Sequence, residues 1–186
     1  MDRAFRTPLL RLSLFFIIIG ALGIVQFAAY QPIQADSTYF QLCSGSTPNV
    51  FSQNWTNTGL ITAADNWTGV ASIEGYRGDL LAPTTGTDPQ TVLAGDDPGV
   101  LDVNANQTTP NTFTTGGVTE FDLTNDTIAL AGSNTAQAPY IRLYLDATGA
   151  SAISVSYTVR DLENGTDNAV SPVALHWRSG ASGNFT

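Results

Sequence analysis

Between residues 151 and 160, apolar and polar side chains alternate: Ile153, Val155, Tyr157 and Val159 against Ser154, Ser156, Thr158 and Arg160. A period of two places the first set on one face of a strand and the second on the other. Residues 140–146 repeat the pattern, with Ile141, Leu143 and Leu145 read as inward. Residues 172–178 repeat it again, with Val173, Leu175 and Trp177 inward. Shorter strand candidates lie at 70–76, 100–103, 117–121 and 127–130. Clusters of turn formers separate them, at 96–99, 146–149 and 163–165. No stretch after residue 36 shows a helical period. Short strands at this spacing predict an all-β chain, an antiparallel β-sandwich or jelly-roll-like fold.

The first 35 residues follow other rules. Arg3, Arg6 and Arg11 precede an uncharged apolar run from Leu12 to Tyr30, and Pro32 breaks any helix there. Ile33, Gln34 and Ala35 then offer a small-residue cleavage site. The pattern predicts a signal helix over 1–35, cleaved after Ala35. The run also approaches the length of a membrane span, so an uncleaved signal anchor is the alternative. Residues 36–50 read as a linker and 51–186 as the β module.

Composition narrows the function. The 186 residues hold 7 Lys+Arg and 16 Asp+Glu. Beyond residue 35 only Arg77, Arg142, Arg160 and Arg178 remain as cations, against 15 acids. Such a surface repels nucleic acid and, once the signal is removed, anionic membrane. The single Cys43 cannot close a disulfide within one chain. No nucleophile–base pair is legible. The one histidine, His176, falls on the outward face of its strand with Ala174 and Arg178 and reads as a surface residue. No catalytic residue is assigned.

Three ligand readings are weighed against structural ones. Asp161, Glu163, Asn164 and Asp167 crowd one loop, and such oxygens suit calcium. The spacing is not that of an EF-hand, and a solvated turn explains the same residues. Trp55 and Trp67 recur in two Asn-Trp-Thr triplets and form a candidate glycan platform, with packing as the competing role. Arg77, Gly78 and Asp79 spell an adhesion tripeptide, a match that chance explains. Six Asn-x-Thr sequons, at Asn54, Asn66, Asn106, Asn125, Asn164 and Asn184, read as turn and strand-end residues.

The stretches 54–61, 75–79, 102–108, 111–118 and 167–186 together resemble the N-terminal β-sandwich module of bacterial secreted and cell-surface proteins. Some of those proteins are large extracellular nucleases of the endonuclease/exonuclease/phosphatase type. The resemblance implies a non-catalytic module with a binding, spacer or scaffold role, secreted or held at the cell surface. It also implies further domains of the same polypeptide. An accessory region of a nuclease and a carbohydrate-binding module are the alternatives. Residues 180–183 read as a hairpin turn whose returning strand continues past Thr186, so the module is expected to be truncated.

Overall fold

The computed structural model describes residues 38–82, 84, 86–93, 95, 100–162 and 172–186. All belong to the unit Ile33–Thr186. The signal helix expected over 1–35 and its cleavage site lie outside the described residues. The regular structure is strand, with 3-10 turns of three residues and no α-helix among the described residues. The all-β expectation holds at that level.

Within the segment read as a linker, residues 40–48 carry three short strands. β1 (Phe40–Gln41) pairs in parallel with β9 (Leu145–Asp146). β2 (Cys43–Ser44) and β3 (Thr47–Pro48) form a hairpin around Gly45 and Ser46. Gly45 sits at φ 63°, which a tight two-residue loop requires. Phe40 packs edge-on against Phe51, tying this segment to the rest of the unit.

The central sheet is β5 (Asn104–Gln107), β6 (Gly117–Phe121) and β7 (Thr127–Ala131), in that order. β6 lies in the middle and every one of its residues is buried. Its pairing with β7 is antiparallel and runs in unbroken register from Gly117 opposite Ala131 to Phe121 opposite Thr127. Its pairing with β5 is parallel. Here Asn104 faces Thr119 and Gln107 faces Phe121, so β5 carries one residue more than β6 over the same span. Asn106 absorbs that bulge at φ 55°, and its N–H donates to Glu120 Oε2 at 3.1 Å. A second sheet pairs β4 (Ile73–Tyr76) antiparallel with β8 (Tyr140–Leu143). Two of the pairings are therefore parallel, which corrects the purely antiparallel expectation.

The core consists of Ile61, Trp67, Val70, Ile73, Val103 and Val118. Trp67 is its centre. The ring is fully buried and its Nε1–H donates to the Asp102 carbonyl at 3.1 Å. The indole lies flat enough on β4 that a Cβ at Gly75 would come within 2.3 Å of Cζ2. Only glycine fits there. Asp65 locks the same loop onto the strand beyond it. Its N–H donates to the Val103 carbonyl at 3.0 Å, and its Oδ1 accepts the Val103 N–H at 3.2 Å. Asp102 then caps the start of β6, accepting the Val118 N–H at 2.6 Å. Gly117, at φ 117°, admits that carboxylate, since a Cβ would meet Oδ2 at 2.1 Å.

Two strong sequence patterns enter no sheet among the described residues. Residues 151–160 and 172–178 form no strand ladder with another described segment beyond the Trp177–Thr186 pair, and their predicted inward side chains are exposed. Trp177, read as core, is 67% exposed. In the second segment the half-buried set is Ala174, His176 and Arg178, the reverse of the expected phase. Of the three strong patterns, 140–146 supplies strands, β8 and β9, and the weaker candidates at 70–76, 117–121 and 127–130 contribute β4, β6 and β7.

Trp67→Ala is expected to cost about 3–5 kcal/mol, as large buried aromatics do. Gly75→Ala should destabilise as well, because the added methyl has no space. Urea unfolding of the wild type and both variants measures the loss. A Trp67→Ala protein as stable as wild type would show that the ring is not the keystone of the core.

Candidate interaction surface

Chemistry-bearing side chains gather at two places. The first is the face of β4 and β8 turned away from Trp67. Cross-strand register sets Glu74 opposite Arg142 and Tyr76 opposite Tyr140. Tyr144, just past β8, joins them. Glu74 is buried, and its Oε2 accepts the hydroxyls of both Tyr76 and Tyr144. Arg142 donates from Nη1 to the Tyr144 hydroxyl at 3.0 Å and from Nη2 to the Tyr140 hydroxyl at 2.9 Å. Its guanidinium also lies 4.5 Å from the centroid of the Tyr76 ring, within cation–π range. Tyr76 and Tyr140 stack at 5.0 Å, and Tyr39 meets Tyr144 edge-on at 5.6 Å. The carboxylate and the cation are thus joined through tyrosine oxygens.

Burial pushes the Tyr76 hydroxyl far above its ordinary value, and the bond to Glu74 adds to the shift. Tyr144 is raised for the same two reasons in the same order. A phenolate at either position would face the Glu74 carboxylate. These tyrosines are donors that hold a buried acid. The sequence offered one signal for them, the polar alternation of Tyr140, Arg142 and Tyr144, which is visible only once the opposite face ceases to dominate the reading.

The second place is a set of uncovered apolar side chains. Ile141 and Leu143 lie opposite Gly75 and Ile73, so they share the core's face. β8 pairs only with β4 among the described residues, and the two side chains stay 42% and 37% exposed at that edge. Leu145 is half-buried. In residues 151–160 every residue is exposed, including Ile153, Val155, Tyr157 and Val159. No main-chain hydrogen bond joins this segment to another described residue. Its tie to the rest is Arg160, whose Nη2 donates to the Asn125 carbonyl. Val173, Leu175 and Trp177 are exposed in the same way.

The remaining sequence assignments separate clearly. Trp67 has no free ring face, so packing accounts for it. Trp55 is half-buried and meets Trp67 edge-on at 6.4 Å. In both Asn-Trp-Thr triplets the Asn side chain accepts the Thr N–H and hydroxyl, at Asn54–Thr56 and Asn66–Thr68. The repeat therefore builds two like turns that present one tryptophan to the other. Of the proposed calcium ligands, Asp161 is exposed, and Glu163, Asn164 and Asp167 lie outside the described residues. No group of metal-binding side chains forms among the described residues. Asp96 and Asp97 also lie outside them.

His176, read as a surface residue, sits partly covered. It is half-buried, with Nε2 2.7 Å from the Pro89 carbonyl. Arg77 and Asp79 pair with each other at 2.6 Å, and the Gly78 carbonyl accepts the Ala138 N–H. The adhesion tripeptide is built into the fold. Cys43 is a half-buried free thiol. The hairpin read at 180–183 is present: Trp177 and Thr186 exchange both main-chain hydrogen bonds, at 3.1 and 2.9 Å. Arg178 clamps the turn through the carbonyls of Gly183 and Ala181 and lies over the Phe185 ring.

Comparison with protein-family models, with curated proteins and with solved structures finds no match to the chain.

The raised tyrosines make stability depend on pH in the alkaline range. A group held above its unfolded value contributes stability that is complete below about pH 10, the ordinary tyrosine value. That stability is lost as pH rises toward the folded value. Urea unfolding between pH 8 and 11 should show a fall above about pH 10. Tyr144→Phe should flatten that fall and cost about 1–3 kcal/mol at neutral pH, by leaving Glu74 one donor short. An unchanged alkaline slope in the variant would separate the network from stability.

Proposed function

We propose that the chain from residue 36 onward is a non-catalytic β module of a secreted or surface-displayed bacterial protein. Its architecture in this reading is a sandwich or jelly roll, and its role is binding, spacing or scaffolding for a larger polypeptide. The observation that carries the reading is the uncovered apolar set on 141–143, 151–160 and 172–178. A strand with one apolar face is completed by whatever covers that face. The residues with chemical potential have structural tasks instead. Glu74 holds two tyrosines, Asp102 and Glu120 hold main-chain N–H groups, and His176 meets a carbonyl.

The arginine-led apolar run of residues 12–30 supports export. The acid-rich remainder supports a surface that keeps away from nucleic acid. The stretches that resemble bacterial surface modules support the same setting.

Fractionation of cells producing the tagged full-length chain tests the location. The protein is expected in the medium or the envelope, with a mature N-terminus at Asp36. An intact Met1 and a cytosolic pool would overturn secretion. Incubating the purified chain with plasmid DNA and magnesium tests the non-catalytic part, and cleavage that survives repurification would overturn it.

A further inference from the structure

Residues 151–160 stand out among the uncovered segments, because every one is exposed and no main-chain hydrogen bond joins them to another described residue. We infer that this segment pairs with the same segment of a second copy, antiparallel and edge to edge, about a two-fold axis through Ser156.

Three observations select a second copy. First, the segment is chemically symmetric about Ser156. An antiparallel pairing centred there sets Ile153 opposite Val159, Val155 opposite Tyr157, and Ser154 opposite Thr158. β-branched residues meet β-branched or aromatic ones, and hydroxyls meet hydroxyls. Such cross-strand pairs contribute roughly 0.2–1 kcal/mol each. Second, charge permits close approach here. The chain is strongly acidic, yet no acid occurs from Ala147 to Arg160. Ala152, at φ 54°, ends the extended stretch, so the ladder spans 153–159 and the two Arg160 side chains lie beyond its opposite ends, away from each other. Third, the apolar side chains are costly in water. Ile153, Val155, Tyr157 and Val159 are all more than half exposed, and the pairing would set both copies' sets on one face. A two-fold contact of this kind is self-complementary and closes at two copies.

The pairing deepens the scaffold role proposed above by naming its partner, and it can fail while secretion and the lack of catalysis stand. The test uses the full-length chain in mild detergent, with Cys43→Ser to remove the native thiol. In that background Ser156→Cys places two thiols opposite each other across the axis. Paired residues on neighbouring strands have Cα atoms about 4.5–5.5 Å apart, within disulfide range. Mild oxidation should give a cross-linked dimer on a non-reducing gel. Ser154→Cys alone should not cross-link, because its two copies would lie about 13 Å apart along the strands. Adding Thr158→Cys to Ser154→Cys should restore the dimer. Val155→Lys, at an exposed site, should shift the sedimenting species from dimer to monomer. The inference is overturned if Ser156→Cys stays monomeric, or if Ser154→Cys alone cross-links equally well. It is also overturned if wild type and Val155→Lys sediment alike, in which case another segment or partner covers the strand.

Discussion

The fold hangs on the contact between Trp67 and β4. One buried indole covers Gly75, bonds the Asp102 carbonyl and packs on Val70, Ile73, Val103 and Val118. This single ring joins the loop after residue 61, the two-stranded sheet and the strand that leads into the three-stranded sheet. Around it the backbone adopts left-handed conformations at several non-glycine residues, Trp55, Asp65 and Ser72 among them. Those turns carry a steric cost that burial of a large aromatic surface offsets. A chain with only short strands has little regular hydrogen bonding to hold it, so one well-packed ring and the bonds of Asp65 and Asp102 take over that task.

The opposite face of β4 has a different logic. Glu74, Tyr76, Tyr140, Arg142 and Tyr144 satisfy one another, and a buried network of this kind tolerates little rearrangement. Sliding β8 by one residue would move Tyr140 and Arg142 to the core side and Ile141 to the network side. The network therefore specifies the register that the exposed Ile141 and Leu143 cannot specify by burial. Trp67 fixes where β4 lies, and Glu74 fixes how β8 aligns with it.

What could be read in the sequence follows from the kind of signal each segment carries. β6 and β7 were legible because Val118 and Phe121 are apolar and buried, and turn residues flank the pair. β5 was missed, because Asn104, Ala105, Asn106 and Gln107 carry no apolar alternation. It pairs through Asn side-chain bonds to the Val118 carbonyl and the Thr119 hydroxyl, and through a bulge. The clearest alternations, at 151–160 and 172–178, lie outside the sheets formed by the described residues. Alternation reports that a segment has two unlike faces and is silent on what covers them. For the same reason Trp177 was assigned to the core and lies exposed. Trp67, with no alternating context, proved to be the core's centre. The repeated Asn-Trp-Thr triplet marks Trp55 and Trp67 in the sequence, whereas the tyrosine–arginine network gives no contiguous signal, since its members are far apart in the chain and meet only through the β4–β8 register.

The charge balance explains the last feature of the structure. With only four cations beyond residue 35 against 15 acids, most carboxylates cannot be neutralised by ion pairs. Arg77 pairs with Asp79, but Arg142, Arg160 and Arg178 bond tyrosine hydroxyls or main-chain carbonyls. The acids turn to main-chain N–H groups instead: Asp65 to Val103, Asp88 to Gln90, Asp102 to Val118, Glu120 to Asn106, Asp126 to Leu123 and Asp146 to Thr148. Each such bond closes a turn or a strand end, so the acids shape the backbone. Where the acid is half-buried, as at Asp102, and where it is buried within β6, as at Glu120, desolvation lifts it above the usual carboxylate range despite the N–H donor. By the sign of that shift, both contribute stability below the ordinary carboxylate value and lose it as pH rises through their folded values. Asp146 pulls the other way: its bonds to Thr148 hold it below the usual carboxylate range, so its contribution is present above the ordinary value and lost as pH falls. The acid-free run from Ala147 to Arg160 carries no such carboxylate, and it is there that the chain leaves a strand-like pattern uncovered.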